Sequence, residues 1–358
     1  MADYFLFNRL IISLCILPCL SMAAYADDVN EQISDAPVVV LQTIDTGVKM
    51  DANQNLSQQE NPEDNRWFDR RHRDGKKFLG RTAHFMDDWF GKTDPNKPAR
   101  AQIRVMTDIR HNEYDGTTIK PRIRAKVKLP TLERQLSVII GDDDLDHEQG
   151  GGIYNDARIT PNSEHTLDRT QSRKDNSSLA LRWSNFKDDI GVQTDLDIGL
   201  RSDDLFVKWR GEKRWSHDHN IGGRFEQVYR YGTKSEHYAL STLEFNQPQS
   251  SIRTLINRSQ IAYTNKDNNE TLGWSNSFYQ QHNWQGKRGT REFSYGIYAG
   301  GDIDDKQATL NTYGPYVSYR MPIWREWLFV QTDVSYYNDK AQNRDHHVAS
   351  FGRLEVVF

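Results

Sequence analysis

The stretch IKPRIRAKVKL, residues 119–129, carries a basic residue at every second position: Lys120, Arg122, Arg124, Lys126 and Lys128. Between them stand Ile119, Pro121, Ile123, Ala125, Val127 and Leu129, none of them polar. Successive side chains of an extended strand point to opposite faces. This stretch therefore reads as one strand with a cationic face and an aliphatic face. Upstream, ARAQIRVMTDIR (99–110) repeats the pattern. Ala99, Ala101, Ile103, Val105, Thr107 and Ile109 share one face, and Arg100, Gln102, Arg104, Met106, Asp108 and Arg110 share the other. A soluble sheet with one wet face shows the same alternation. A transmembrane strand also requires it, over about ten residues, apolar toward lipid and polar toward a lumen. In lipid every backbone amide needs a protein partner, so such a sheet has to close on itself.

Alternating segments continue to the end of the chain, at 135–141, 178–186, 189–201, 204–215, 221–232, 237–246, 252–264, 271–284, 291–301, 312–321, 327–337 and 348–358. With the first two they predict a closed antiparallel barrel of about fourteen strands. The alternation is blurred at 204–215 and 237–246, and losing one hairpin leaves twelve. An even count puts both barrel ends on the periplasmic side. Lys187-Asp188, His217-Asp218-His219-Asn220 and Gln247-Pro248-Gln249 read as tight turns, and 142–177 as much the longest loop. Trp183, Trp215, Trp274, Trp284, Trp324, Trp327, Tyr336 and Tyr337 fall at strand ends, where interfacial aromatic girdles sit. Pro121 and Pro315 each remove a ladder donor, and both lie near a predicted strand start.

The ends of the chain decide between the two sheet architectures. After Arg9 comes the uncharged run LIISLCILPCLSMAA, then Ala24-Tyr25-Ala26, the pattern of a secretory signal peptide over 1–26. Cys15 and Cys19 leave with it, so the mature chain has no thiol chemistry. No later stretch approaches the ~20 apolar residues of a spanning helix. The chain ends VASFGRLEVVF. Here it resembles the Gram-negative outer-membrane β-barrels, whose last strand commonly ends in Phe after alternating apolar residues. The resemblance extends over the leader, the ending and the strands from about Ala99, and it is to the class and not to a family within it. It implies an outer-membrane location, with lipid and lipopolysaccharide as surroundings and the barrel-assembly machinery reading the strand that ends in Phe358.

Residues 27–65 are polar, with one apolar run, Val38-Val39-Val40-Leu41, and read as a largely disordered periplasmic segment. Residues 66–98 are basic and then amphipathic. After RWFDRRHRDGKK, Phe78, Leu79, Thr82, Phe85, Met86, Trp89 and Phe90 recur at helical spacing, with Gly91 as a C-cap. The helix suits three placements: on the inner leaflet, as a plug, or as a cap on the periplasmic mouth. The barrel is assigned to 99–358.

Inside such a barrel Arg100, Arg104, Arg110, Lys120, Arg122, Arg124, Lys126, Lys128 and Arg353 form a basic wall. Asp189, Asp195 and Asp197 form an acidic wall several strands away. Opposed walls set up a transverse field that concentrates counter-ions, and arginine forks suit carboxylates and phosphates. The resulting expectation is a monomeric, porin-like channel for small anionic or zwitterionic solutes. Two alternatives stand beside it. Lumen charges that pair with each other make a closed barrel serving envelope integrity or assembly, since only wider barrels are regularly open. A lipid- or lipopolysaccharide-modifying enzyme needs a nucleophile with a positioned base. The nearest approaches are His346-His347 with Ser350, at the wrong spacing for the outer-membrane phospholipase pattern, and the turn His217-Asp218-His219. No cofactor is implied. Asp142, Asp143, Asp144 and Asp146 crowd oxygen ligands into the long loop, where Ca²⁺ or Mg²⁺ binding is a weak alternative to a hydrated acidic loop. The formal net charge of -4 argues against nucleic acid as a partner.

Overall fold

The computed structural model describes residues 67–90, 100–129, 136–141, 178–187, 191–201, 204–217, 220–267 and 269–358. The expected leader, 1–26, and the polar segment 27–65 lie outside the described residues. Among the described residues one α-helix, α1 (Trp67–Phe90), precedes fourteen barrel strands. These are β1 (Arg100–Asn112), β2 (Gly116–Leu129), β3 (Leu136–Ile140), β4 (Ser178–Lys187), β5 (Val192–Arg201), β6 (Asp204–His217) and β7 (Ile221–Gly232). They continue as β8 (Glu236–Pro248), β9 (Arg253–Lys266), β10 (Asn269–Gly286), β11 (Gly289–Asp304), β12 (Thr312–Pro322), β13 (Leu328–Asp339) and β14 (Arg344–Val357). A two-residue pairing, Gln307–Ala308, only lengthens the tip of β11. The chain divides into two compact units, Met1–Arg71 and His72–Phe358. Within the first, the described residues are the opening turn of α1, where the Trp67 and Phe68 rings meet edge to face at 4.9 Å.

Each strand pairs antiparallel with the next, and β1 pairs with β14, so the sheet closes. All fourteen predicted strands are present, including the two whose alternation is blurred. No helix among the described residues is long and apolar enough to cross a membrane; the crossing is made by strands.

The register follows from the alternation. Across β1 and β2, Arg104 faces Arg124 and Met106 faces Arg122, while Val105 faces Ile123 and Ile103 faces Ala125. A slip of one residue would turn every side chain to the other face. Arg122, Arg124 and Lys126 would then meet lipid, at about 2–4 kcal/mol each near the midplane. In the observed register Arg122 is buried while Ile123 is 47% exposed. The outward positions make an exposed apolar belt through Val105, Ile109, Ile123, Leu179, Leu181, Ile198, Leu200, Val207, Ile261, Phe278, Ile297, Val317, Val334, Val348 and Leu354. A contiguous belt of this kind has no stable place in water.

Two local expectations shift. Helix α1 begins at Trp67, so the basic stretch before Phe78 is itself helical. Its Arg and Lys residues are good helix formers, and Gly75 is held against the Phe358 ring, where an added Cβ would come within 3.0 Å. Strand β2 begins at Gly116, so Pro121 lies inside the ladder opposite Thr107 and not near a strand start. The hairpin extends because Thr117 and Thr118 suit a strand and Gly116, at φ +66°, takes the left-handed conformation its turn requires.

Candidate functional site: the charged barrel interior

The inward face of β1, β2 and the strands beside them holds most of the predicted basic residues. Lys120, Arg122, Arg124 and Arg353 are buried, Arg104, Arg110 and Lys126 are half-buried, and Arg100 and Lys128 are exposed at the rim that carries the barrel ends. Acidic residues are set among them. The Asp108 carboxylate accepts from Arg353 Nε at 2.6 Å and Arg353 Nη2 at 2.9 Å, and Arg122 Nε approaches it at 3.4 Å. Glu355 accepts from Arg104 Nε at 2.5 Å and from Arg320 Nη2 at 2.9 Å. Asp333 accepts from Ser318 Oγ at 2.5 Å and from Gln331 Nε2 at 3.1 and 3.0 Å. Among the described residues, inward basic ones still outnumber acidic ones along β12 to β2, by Arg104, Arg110, Lys120, Arg122, Arg124, Lys126, Arg320 and Arg353 against Asp108, Asp333, Asp339 and Glu355.

Several strands away, Asp195 and Asp197 carry counter-ions of their own. Asp197 accepts from Arg182 Nε and Nη2 at 2.7 and 2.8 Å, and Lys208 Nζ lies at 3.0 Å. Arg210 Nη1 stands 3.7 Å from Asp195, and its Nη2 donates to Glu212 at 2.9 Å and Glu226 at 2.8 Å. The chain of pairs goes on through Arg224, which donates to Glu226 and Glu244 at 3.1 Å each, and ends at Arg258, whose Nη2 is 2.7 Å from Glu244. Asp189 lies outside the described residues, as do Asp142, Asp143, Asp144 and Asp146 of the long loop.

The interior is thus not two walls of opposite sign. Each wall mixes signs, and each pair above joins residues on one strand, on neighbouring strands, or on strands two apart. The charges settle laterally along the sheet. A strand spacing of about 4.8 Å is short enough for an Arg and a carboxylate side chain to meet along one wall. What remains asymmetric is the surplus: cations exceed anions on β12 to β2, while the strands from β4 to β9 are close to balanced.

Sequence reasoning picked out the cations and overlooked their neutralising partners, Asp108 and Glu355, although both fall on the inward face by parity. It also missed an aromatic patch on the inner side of β10 to β14. There Tyr316, Tyr337, Ala349 and Phe351 are buried together, with Tyr279 and Tyr298 packed against them. The signal was available as Tyr at alternate positions, but tyrosine suits both the lumen and the lipid interface, so spacing alone does not place it. Phe351 lies beneath two guanidinium groups, with Arg110 and Arg353 at 5.5 and 5.3 Å from its ring centre.

No metal-holding group of His, Cys, Asp or Glu is present among the described residues. His217 ends β6, and Asp218 and His219 lie outside the described residues. His347 is enclosed by aromatic rings, Tyr114 at 4.7 Å and Tyr337 at 4.6 Å.

A closed, even-stranded antiparallel barrel with an apolar outer belt and an ionised interior is the architecture of the bacterial outer membrane. The chain is an outer-membrane β-barrel of the Gram-negative type. Among solved structures it is similar to a loop L8 deletion mutant of OmpT, an outer membrane protein of Vibrio cholerae, with TM-score 0.43 and 9% identity over 73% of this chain and 99% of that one. It is also similar to OccK2 (OpdF) of Pseudomonas aeruginosa in complex with glucuronate, with TM-score 0.38 and 8% identity over 73% and 98%. For OprB of Pseudomonas putida at low pH the values are 0.39 and 12% over 73% and 92%. No family model matches the chain, and no curated protein matches it.

Proposed function

We propose that this barrel is a porin-like channel for small anionic solutes, with the basic surplus of β12 to β2 as its selectivity element. One observation carries the reading. The ion pairs named above run along the walls, and on the β12 to β2 side basic residues exceed acidic ones among the described residues. The basic side chains of Lys120, Arg122, Arg124 and Lys126 lie on the inward face, in an interior where fields are strong and little screened.

The test is single-channel conductance of the purified protein in planar bilayers. Discrete steps with a reversal potential on the anion side are expected. Arg122→Glu with Arg124→Glu lowers the anion-to-cation permeability ratio several-fold. The absence of any steps, from a barrel that keeps its folded gel mobility, removes the channel reading.

A second reading is favoured by a different observation: Asp108 and Glu355 are each only 1% exposed. Charges so dry suit an interior that is shut, and hence a barrel acting in envelope integrity or assembly. The two readings diverge on conductance and on the cost of breaking an interior ion pair.

A further inference from the structure

From His72 onward, helix α1 presents three kinds of side chain on three sides. The first side holds it to the barrel. The His72 ring stacks on Trp327 at 4.2 Å and lies 5.0 Å from Phe358, with Nε2 2.8 Å from the carbonyl oxygen of Val357. Ala83 is fully buried and packs with Val127 and Leu129. From His72 to Ala83 the helix advances about 16 Å at about 1.5 Å per residue. Strands stand about 4.8 Å apart, so this length crosses from β14 over β1 to β2. Val127 and Leu129 have the parity of Ile123, which faces away from the lumen. The helix therefore lies on the outer surface of the barrel, across the seam of first and last strands, at the rim of the barrel ends.

The other two sides are uncovered. Phe78 and Phe85, one heptad apart, are 61% and 74% exposed. Arg73, Lys77 and Arg81 are exposed too. At about 100° per residue Phe78 and Phe85 lie about 120–160° round from His72 and Ala83, and Arg73, Lys77 and Arg81 lie about 80–180° round the other way, on the sector next to the phenylalanines. Large exposed aromatics beside a lipid-facing sheet, with cations on the next sector, match a helix at a headgroup boundary.

We infer that α1 lies in the inner leaflet of the outer membrane. Phe78 and Phe85 enter the boundary of headgroups and acyl chains, and Arg73, Lys77 and Arg81 engage anionic phospholipid headgroups. The occupant follows from continuity, because the aromatic side extends the barrel's own apolar belt, and from charge. The inference is independent of whether the lumen conducts.

The experiment uses the chain from Asp27 onward, without the expected leader, in which no cysteine occurs. Phe85→Cys is labelled with an environment-sensitive fluorophore in the folded barrel. It is reconstituted into phosphatidylcholine vesicles with or without phosphatidylglycerol. A blue-shifted emission, quenched by lipids spin-labelled near the headgroup and protected from iodide, is expected. A label at Lys77→Cys stays accessible to iodide. In anionic vesicles Arg73→Glu with Lys77→Glu and Arg81→Glu reduces lipid quenching at the Phe85→Cys label several-fold. A label at Phe85→Cys that is unshifted and open to iodide in both vesicles, on a barrel with folded gel mobility, overturns the proposal. Equal quenching in the two vesicle types overturns its electrostatic half.

Discussion

Replacing Asp108 by Asn tests how dry the interior is. Asp108 serves two cations, Arg353 through a fork of 2.6 and 2.9 Å and Arg122 at 3.4 Å. At an effective dielectric near 20, unit charges about 4 Å apart attract by about 4 kcal/mol. Two such contacts are opposed by the cost of desolvating all three groups and by the repulsion of the arginines. Measured losses on removing one partner of a buried pair are about 3–5 kcal/mol, because the remaining charge is stranded; pairs in water are worth about 0–1 kcal/mol. Side-chain exposures of 1% for Asp108 and 5% for both arginines place this triad with the buried kind. Asp108→Asn is therefore expected to destabilise the barrel by about 3–5 kcal/mol, read as a fall in urea midpoint at constant slope in lipid vesicles. Adding Arg353→Met should restore part of the loss, since an apolar pair of similar volume leaves one cation fewer uncompensated. A cost below about 1 kcal/mol, with no recovery in the double variant, would refute the claim that these charges are held away from water.

Three further outcomes follow from the geometry. Gly314→Ala puts a Cβ in collision with the Tyr336 carbonyl oxygen, whereas Gly352→Ala meets nothing within 4 Å. The first should cost about 1–3 kcal/mol as overpacking and the second about 0.5 kcal/mol or less, compared by urea midpoints. At the rim opposite the barrel ends, Arg344 donates to both oxygens of Asp115 at 2.7 Å. That hydrogen-bonded fork, opposed by partial burial, holds the Asp115 carboxyl below its usual range. A depressed value means the pair stabilises above the ordinary carboxylate pKa of about 3.9 and loses its effect as pH falls below that. Asp115→Asn should thus cost about 0.5–1 kcal/mol at pH 7 and nothing at the acid end of the titration; an equal cost at both ends contradicts it.

The barrel was legible because lipid outside and charge inside impose a period of two on every crossing. IKPRIRAKVKL is the clearest case, since its two faces differ most. The blurred strand 204–215 became a strand for the same reason seen from its neighbours: Lys208 and Arg210 meet Asp197 and Asp195 of β5 in register. The distribution of charge around the lumen was not legible. Parity assigns a residue to the inside but not to a height or a neighbour, and Asp108 finds Arg353 across 245 positions of sequence. The start of α1 was hidden for a related reason. Its basic first half has no periodic apolar stripe, and His72 and Gly75 there touch residues at the far end of the chain.

Those long-range contacts share a location. The β1–β14 seam joins the two ends of the barrel, and closing a chain of that length costs about 3 kcal/mol more than closing a short hairpin by loop entropy. No turn holds it, so the backbone ladder and side chains must. It carries the Asp115–Arg344 fork at one rim, Asp108–Arg353 and Arg104–Glu355 within the wall, and His72 against Val357 and Phe358 at the other rim. A hairpin such as β9–β10 also carries cross-strand side-chain hydrogen bonds, Asn257 and Ser259 to Asn276 among them, but its register is already fixed by a short turn. Contacts that form last stabilise the product more than the transition state, and weakening them accelerates unfolding more than it slows folding. On this reasoning His72→Ala or Arg344→Ala speeds unfolding of the assembled barrel with little change in folding rate. Double-jump kinetics in lipid vesicles would show it, and an effect confined to the folding limb would mean that the seam forms early.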